Sequence, residues 1–277
     1  MNGRKSLKNY RLASLEHTNH CELTEIWNRC WQGYYYNMSF SDEQMRVWRD
    51  LSQASLENSI GIYVDNQVVG FSLLSVDGSD GWIAAACIDP DYRCQGLSEV
   101  LMRTQLDRAS RLDLKRVYLE VLEQNHALKV YQSVGFAPVR QLNLYSTQVR
   151  TDYHNSASRI IPLRSVHVDL YFENRSRAFK PAWQRREDYL RRHINYFAVL
   201  NMSGTAGAMF AGEKKDILID VWSASAAGAA ELISALLQRS NDPFSLINQP
   251  KDWIFAFLCT KKILPSAIQL EMCIQVT

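Results

Sequence analysis

The sequence predicts an α+β protein (mixed α/β) of two domains, and three observations lead to this prediction. Amphipathic helix patterns alternate with short apolar strand patterns along the chain. A polar stretch without periodicity, Thr151–Ser158, separates two parts, and the order of elements in the first part recurs in the second. A length of 277 residues suits two domains of about 130 to 150 residues each. We therefore place the domains at 1–150 and 159–277, with a linker at 151–158.

The composition narrows the class of protein. Hydrophobic residues make up 47% of the chain and aromatic residues 11%, which is enough to fill two cores. The net charge of +2 gives no argument for a nucleic acid or an acidic membrane as partner, and no apolar run reaches membrane-span length. The basic N-terminus lacks the apolar segment of a secretory signal, and the six cysteines show no metal-binding spacing. We expect a reduced, cytoplasmic protein without metal, nucleic-acid or membrane partners.

Two capping patterns predict the first helices. Asn19 is followed three residues later by Glu22, at the start of a helix over Asn19–Trp31, and Ser41 is followed in the same way by Gln44. The remaining elements predicted in the first part are strands at Ile60–Val64, Val68–Val76, Gly81–Ile88 and Val117–Leu122, a hairpin turn at Asp65–Gln67, a short helix at Ala127–Val134 and an extended segment at Phe136–Val149.

The segment Arg93–Ser98, Arg-Cys-Gln-Gly-Leu-Ser, joins the third of these strands to an amphipathic helix. A glycine-containing turn that opens a helix presents unpaired backbone N–H groups and the positive end of the helix dipole. This pattern predicts an anion site, most often one for phosphate.

The second part repeats the same order. We predict a polar helical region at about Arg175–Arg192, then strands, an Ala-rich helix, another strand, a helix and a last strand. Two segments align without gaps: Arg93–Ser98 lies over Ser225–Ala230, and Phe136–Asn143 lies over Leu264–Glu271. The pattern indicates an internal duplication.

The first part contains, in order, a strand, an Arg-x-x-Gly-x-small loop, a long helix, a second strand, and then Asn and Tyr ahead of Gly-Phe. This combination resembles the GNAT N-acetyltransferase superfamily. The residues that carry the resemblance are Arg93 to Ser98, Leu119-Glu120-Val121, Asn125, Ala127, Tyr131 and Gly135-Phe136. The whole chain resembles the tandem-GNAT subgroup, through Pro181-Ala182-Trp183-Gln184 and the closing Gln269-Leu270-Glu271-Met272. The resemblance implies two GNAT-like domains, each a mixed, mostly antiparallel sheet flanked by helices, with a splayed central strand pair.

The resemblance also implies acetyl-CoA as co-substrate. In the family the loop N–H groups hold the pyrophosphate, and the strand before the loop hydrogen-bonds the pantetheine arm. The cofactor-binding residues implied here are Cys87, Ile88, Arg93, Cys94, Gln95, Gly96, Leu97, Ser98 and Asn125. The family's Asn-to-Tyr spacing is one residue longer than Asn125 to Tyr131, so Gln124 is an alternative to Asn125.

Tyr131 matches the position of the family's general acid, whose phenol protonates the leaving thiolate. The alternative is that Tyr131 is a packing aromatic. Glu120 is a candidate general base, although it could instead face outward from its strand, and water chains serve as the base in many members of the family. Arg93 either reaches the phosphates of the cofactor or contributes its backbone alone.

Tyr34, Tyr35 and Tyr36 lie in the link between the first two helices, which shapes the acceptor pocket in this family. They either contact the acceptor or pack as core and lid. In the second part Ser225 replaces the loop arginine and Cys259 stands where Tyr131 would align, so we expect that half to be degenerate. The resulting hypothesis is an acetyl-CoA-dependent N-acetyltransferase acting on a small-molecule amine, as a monomer or homodimer. Its alternatives are a non-catalytic acyl-CoA-binding or scaffolding module, and a protein or peptide acetyltransferase.

Overall fold

The computed structural model describes residues 9–147, 160–176, 180–212, 217–239 and 244–276. The chain forms two compact units, one of residues 1–139 and 271–277 and the other of residues 140–270. Leaving 3₁₀ turns aside, the order β-α-α-β-β-β-α-β-α-β occurs twice within the described residues. The duplication inferred from two short alignments is therefore visible in the whole order of elements.

The first unit begins with a short strand and two capped helices. Both predicted capping boxes are present, Asn19 with Glu22 and Ser41 with Gln44. The elements of the first half are β1 (Arg11–Ser14), α1 (His20–Cys30), α2 (Asp42–Ser52), β2 (Ser55–Val64), β3 (Gln67–Asp77), β4 (Asp80–Ile88), α3 (Leu97–Arg111), β5 (Arg116–Leu122), α4 (Ala127–Ser133) and β6 (Ala137–Thr147).

The sheet of the first unit runs in the order β1-β2-β3-β4-β5. Strands β1 to β4 pair antiparallel, whereas β4 and β5 are parallel. Pairing of β4 with β5 covers only Asp80–Trp82, so the two strands separate beyond Trp82 and leave the edge of β4 uncovered. The predicted splayed strand pair is confirmed, and it creates a cleft whose backbone groups lack ladder partners.

The core of the first unit lies on both faces of this sheet. On one face Trp27 of α1 is 1% exposed and stacks on Phe71 of β3, with a centroid distance of 5.9 Å. On the other face Leu97 and Leu101 of α3 pack with Ile62 of β2. Burial of these side chains fixes both helices that flank the cleft.

The second half contains the elements β7 (Leu163–Val166), α5 (Val168–Ser176), α6 (Glu187–Arg191), β8 (Phe197–Asn201), β9 (Ala206–Ala211), β10 (Ile217–Ser223), α7 (Ala226–Arg239), β11 (Phe244–Pro250), α8 (Trp253–Thr260) and β12 (Ala267–Gln275). Strands β10-β9-β8-β7 form one antiparallel sheet, and β11 pairs antiparallel with β6. Because β10 and β11 belong to different sheets, the second half also has a separated central strand pair.

The units exchange their last strands, which the sequence did not indicate. Residues 140–147 of β6 belong to the second unit, although we placed them in a first domain of residues 1–150. Residues 271–276 of β12 belong to the first unit, where the Val276 N–H donates to the Lys115 carbonyl at 2.9 Å. Strand pairing between distant segments depends on tertiary contacts, so a local pattern does not reveal it. The predicted linker at 151–158 lies outside the described residues.

Two further details differ from the predictions. The short strands β1 and β7 were not predicted, because four residues carry too little periodicity. The polar helical region at Arg175–Arg192 is interrupted, since α5 ends at Ser176 and a 3₁₀ turn at Trp183–Arg185 precedes α6. Pro181 lies in this interruption, and proline does not fit a helix interior.

Candidate active site

The end of β4 supplies one wall of the cleft in the first unit. The thiol of Cys87 donates to the carbonyl oxygen of Cys30 at 2.7 Å, and burial raises the pKa of Cys87 to about 11. Ile88 is 6% exposed and lies opposite Gly70 in the β3 register. The side chains of Cys87 and Ile88 are therefore occupied by packing, and only their backbone groups remain for a ligand.

A buried carboxylate shapes the turn after β4. One oxygen of Asp89 accepts from the Asp91 N–H at 3.1 Å, at the start of the 3₁₀ turn Pro90–Tyr92. Its other oxygen accepts from Nε of Arg29 in α1 at 2.5 Å, and the same arginine also donates to the Val68 carbonyl. The direction in which the chain leaves the strand is thus fixed by α1 and β3.

The loop from Cys94 to Ser98 leaves a row of donors free. Cys94 and Gly96 both have left-handed backbone conformations, with φ of 60° and 80°. Within the described part of the chain, the backbone N–H groups of residues 94–98 donate to no protein acceptor. Five free N–H groups thus lie at the N-terminus of the 15-residue helix α3, and a concavity of such donors is suited to an anion.

Side chains leave this concavity open. Leu97 is 3% exposed and packs inward, while Cys94 and Gly96 are exposed. No heavy atom lies within 4 Å of the position where a Cβ on Gly96 would be. Gln95 Nε2 lies 3.5 Å from the Asp91 carbonyl, and Ser98 is half-buried in the first turn of α3. The loop therefore fits an anion such as pyrophosphate through its backbone.

The guanidinium of Arg93 points away from the loop donors. Its Nε donates to the Ile88 carbonyl at 3.0 Å, and its Nη2 donates to the carbonyls of Cys30 at 2.8 Å and Gln32 at 3.0 Å. Cys30 ends α1, so Arg93 satisfies a carbonyl that the helix leaves unpaired. Of the two roles left open by the sequence, this geometry fits a structural one that fastens the end of β4 to the end of α1.

Glu120 lies on β5 and hydrogen-bonds a buried tryptophan. The indole N–H of Trp82, which is 2% exposed, donates to Oε2 of Glu120 at 2.6 Å. Trp82 is the last β4 residue paired with β5, so Glu120 lies where the two strands separate. Trp82 could not be predicted as a site residue, because an apolar residue in a strand pattern gives no signal of such a bond.

Tyr131 lies on α4 and is half-buried. Its ring makes an edge contact with Phe136, with a centroid distance of 6.1 Å. Burial raises the pKa of Tyr131 above its ordinary value, and the nearby Tyr34 and Cys87 raise it further. The phenol therefore stays protonated at neutral pH, as a proton donor requires.

The link between α1 and α2 contacts the loop between β5 and α4. The Tyr35 hydroxyl donates to the Gln124 carbonyl at 3.0 Å. Burial raises the pKa of Tyr34 to about 12. Tyr36 is 45% exposed. Gln124 is exposed and Asn125 is half-buried, and Oδ1 of Asn125 accepts from the Ala127 N–H at 2.9 Å.

The corresponding segment of the second half is closed by side chains. The Ser225 hydroxyl accepts from the Gly228 N–H at 3.1 Å, and the Ser223 hydroxyl accepts from the Ser225 N–H at 3.3 Å. Gly228, aligned with Gly96, lies inside α7, where an added Cβ would meet Ser223 Oγ at 2.8 Å and Thr205 Oγ1 at 3.0 Å. This glycine provides room for packing, whereas Gly96 provides backbone freedom and an open surface.

A buried arginine joins the separated strands of the second half. Arg185 is 0% exposed, and its guanidinium donates to the carbonyl of Val221 in β10 and to that of Asn248 in β11 at 3.2 Å. Its Nε donates to Asp220 Oδ1 at 2.7 Å, and its Nη1 donates to Gln249 Oε1 at 2.6 Å. The space between β10 and β11 is thus bridged by protein atoms.

Arg175 and Tyr171 complete this cluster. Arg175 pairs with Asp220 Oδ2 at 2.6 Å, and the Tyr171 hydroxyl donates to the same oxygen at 2.8 Å. Burial by itself would raise the pKa of Asp220, but the charges of Arg175 and Arg185 lower it below its ordinary range. The carboxylate is therefore ionised and fully engaged in a structural network.

Within the described ranges, no three His, Cys, Asp or Glu side chains are grouped so that they could hold a metal ion. In the same ranges no helix combines the length and apolar character that crossing a membrane requires.

Comparison with protein families identifies the domain around this cleft. The model of the acetyltransferase (GNAT) family matches residues 20–136, the span from α1 to the end of the α4 region. Residues 20–136 form a GNAT acetyltransferase domain. The cleft, the loop 94–98 and Tyr131 all lie inside the matched span. The resemblance inferred from motifs is confirmed for this GNAT domain, and the protein carries a domain of an enzyme family.

A relative of the GNAT domain and solved structures that share the fold of the whole chain are known. A provisionally named ribosomal-protein-bS18-alanine N-acetyltransferase of Bacillus subtilis is 25% identical over 146 residues, which is 50% of this chain and 84% of that protein. A provisionally named acetyltransferase of Pyrococcus horikoshii shares the fold with a TM-score of 0.70 at 12% identity, over 98% of this chain and 91% of that one. A tandem GNAT protein from the clavulanic acid biosynthesis pathway has a TM-score of 0.60 at 12% identity, over 97% and 99%. The tandem GNAT fold predicted from the sequence is confirmed.

Proposed function

We propose that the GNAT domain transfers the acetyl group of acetyl-CoA to an amine. The observation that carries this proposal is the row of free N–H groups at residues 94–98, which opens α3 beside the uncovered edge of β4. Backbone donors at a helix N-terminus suit a pyrophosphate, and an uncovered strand edge suits the amides of a pantetheine arm. The thioester of the co-substrate supplies the activated acetyl group.

We assign the binding of the co-substrate and the two proton transfers to separate residues of this chain. Residues 94–98 bind the pyrophosphate through backbone N–H groups, while Arg93 holds the loop against α1. Tyr131 donates the proton that the leaving thiolate needs, because its phenol is held in the protonated form. Glu120, held by Trp82, accepts the proton of the acceptor amine directly or through water.

The acceptor proposed from the sequence is a small-molecule amine. Tyr36 is the exposed member of the tyrosine run, and its ring offers a flat apolar or cation–π surface for an ammonium group. The six cysteines are all free, which supports a reducing compartment and hence our proposal of a cytoplasmic location.

A second acceptor class is favoured by a specific comparison. The Bacillus subtilis relative is named for acetylation of an alanine of a ribosomal protein, and it aligns over half of this chain. The second candidate function is therefore transfer of the acetyl group to the α-amine of a protein or peptide.

A thiol-release assay with acetyl-CoA tests both acceptors. We expect release above background with at least one amine from a panel of polyamines, amino sugars, amino acids and alanine-terminated peptides. A preference for the peptides would favour the second candidate. If coenzyme A raises the melting temperature but no amine gives thiol release, the acyltransferase proposal is wrong and a binding module is favoured.

A further inference from the structure

A side-chain hydrogen bond joins β4 to β5 at the point where the backbone pairing of the two strands ends. The ladder between them covers Asp80–Trp82, and Trp82 lies opposite Tyr118. The indole N–H of Trp82, which is 2% exposed, donates to Oε2 of Glu120 at 2.6 Å. The cleft between the separated strands therefore begins at a bond between a buried indole and a carboxylate.

Trp82 and Glu120 lie on the face of the sheet that α1 and α2 cover. Residues directly opposite each other in a ladder point to the same face, and Ser75 of β3 is opposite Trp82. The Ser75 hydroxyl donates to the carbonyl of Ser52, the last residue of α2, at 2.6 Å. Tyr118 is opposite Trp82 in β5, and Glu120 follows two residues later, so Glu120 is on the same face. This side of the sheet carries α1 and α2, whereas α3 packs on the other side.

A hydrogen bond from a buried donor changes a carboxylate in two ways. It restricts the side chain to few of its rotamers, and it favours the ionised form over the protonated form. The indole N–H only donates and does not titrate, so it acts in the same way over the whole pH range of an assay. A general base needs both effects, because it must be ionised and its oxygen must be directed at the proton that it accepts.

We propose that Trp82 is a positioning residue that holds Glu120 in the orientation and charge state in which it accepts the proton of the amine. This inference rests on the proposed function, in which Glu120 is the general base. Trp82 acts through Glu120 and not on a substrate. The amine then approaches from the face of the sheet that α1 and α2 cover, where the link with Tyr34–Tyr36 joins these two helices.

Trp82→Phe tests the proposal on the full chain, because phenylalanine keeps an aromatic ring and removes the N–H. We expect kcat to fall about tenfold, as loss of a hydrogen bond to a charged group allows, with KM for acetyl-CoA changed less than about twofold. Trp27→Phe is the matched control, since the Trp27 indole is 1% exposed and also donates at 2.6 Å, but to the backbone carbonyl of Met38. A loss of kcat in Trp27→Phe as large as in Trp82→Phe would overturn the assignment.

The pH profile of kcat/KM distinguishes positioning of Glu120 from simple packing. The other charged and titratable groups near this part of β5 are Tyr118 on the same face, the ion pair of Asp80 with Arg116, and Cys273 and Glu271 of β12. These groups are the same in Trp82→Phe, so a changed profile reports the lost N–H. We expect the acidic limb to move up by about one pH unit, because a carboxylate without this donor binds a proton more readily. An acidic limb that does not move would overturn the proposal.

A double-variant comparison tests whether Trp82 acts through Glu120. If it does, Trp82→Phe has no further effect on kcat when Glu120 is already glutamine. Independent, multiplying effects of the two substitutions would show that Trp82 contributes to the reaction by another route, and the proposal would then be wrong.

Nuclear magnetic resonance of the indole N–H gives a measurement that does not need activity. The resonance that is absent from Trp82→Phe should move with pH in the parent protein as Glu120 gains a proton, and it should stay fixed in Glu120→Gln. A resonance that does not respond to pH in the parent protein overturns the positioning role. If it responds as expected while no amine is acetylated, the proposed function fails and the bond between Trp82 and Glu120 stands.

Discussion

The order of helices and strands occurs twice in the chain, and the segments that open α3 and α7 lie at the same place in the two copies. The two segments differ in the hydrogen-bond partners of their backbone N–H groups. Before α3, residues 94–98 keep their N–H groups free and Gly96 has open space around it. At the start of α7, the Ser225 hydroxyl accepts the N–H of Gly228, the residue aligned with Gly96, and Gly228 is packed against neighbouring side chains. The start of α3 therefore leaves its backbone donors available to a ligand, whereas the start of α7 uses a serine of the protein as an acceptor.

The strand pairs beside these helices differ in the same way. Beyond Trp82 the edge of β4 is uncovered, whereas Arg185 bridges the carbonyls of Val221 and Asn248 between β10 and β11. A guanidinium with several donors can replace the hydrogen bonds that separated strands lose. The first half is thus open to a ligand, and the second half is stabilised from within.

The largest expected effect is on the stability of the second unit. Arg185→Met removes the buried donor that Asp220 Oδ1 and the carbonyls of Val221 and Asn248 share, and we expect the free energy of unfolding to fall by about 3 kcal/mol. Thermal and urea unfolding of the full chain measure this loss. Arg164→Met, at an exposed arginine of the same unit, should change stability by less than about 0.5 kcal/mol. If Arg185→Met were as stable as the parent protein, Arg185 would not be what stabilises the separated strands of the second half.

The next effect is on catalysis, and it compares Tyr131 with Cys259, its aligned partner in the second half. Tyr131→Phe removes the proposed proton donor, so we expect kcat to fall about 100-fold, or about 2.7 kcal/mol, while coenzyme A binding is retained. Steady-state kinetics and a coenzyme A thermal shift measure the two quantities. Cys259→Ala should leave kcat within about twofold. Full activity of Tyr131→Phe with a true acceptor would remove Tyr131 from the mechanism.

A smaller effect separates the two glycines. Gly228→Ala forces a Cβ to 2.8 Å from Ser223 Oγ, and we expect a loss of stability of about 1 to 2 kcal/mol with coenzyme A affinity unchanged. Gly96→Ala meets no atom but must keep a φ of 80°, so we expect coenzyme A affinity to fall about fivefold through a distorted loop. Binding calorimetry should show weaker coenzyme A binding only in Gly96→Ala, and thermal unfolding should show the larger loss of stability in Gly228→Ala. The same changes in both variants would contradict the different roles assigned to the two glycines.

The smallest effect concerns pH. The folded protein raises the pKa of Tyr131 above its ordinary value near 10, so the protonated donor is fully present below pH 10 and is lost only as pH rises through the raised pKa. We expect kcat to show no alkaline decline below about pH 9.5. A decline in kcat centred near pH 8, still present in Tyr131→Phe, would assign the proton donor to another group.

Much of the fold could be predicted because its signals are local. The capping boxes at Asn19 and Ser41, the two-residue turn at Asp65 and Asn66, and the loop at Arg93–Ser98 each specify a backbone geometry within a few residues. The roles of individual side chains were harder to predict from the sequence. Arg93 donates to the end of α1, and Trp82 donates to Glu120; both bonds join residues far apart in sequence.

The two capped helices, the loop that opens α3, the repeated order of elements and the family of the GNAT domain could all be predicted from the sequence. These features depend on hydrogen bonds and apolar spacing within short segments. Three other features became visible only in the folded chain: the exchange of the last strands between the units, the bond of Tyr35 to the loop before α4, and the bridging of β10 and β11 by Arg185. The physical reason is that each of these depends on a donor and an acceptor brought together by folding, and no local pattern specifies such a partner.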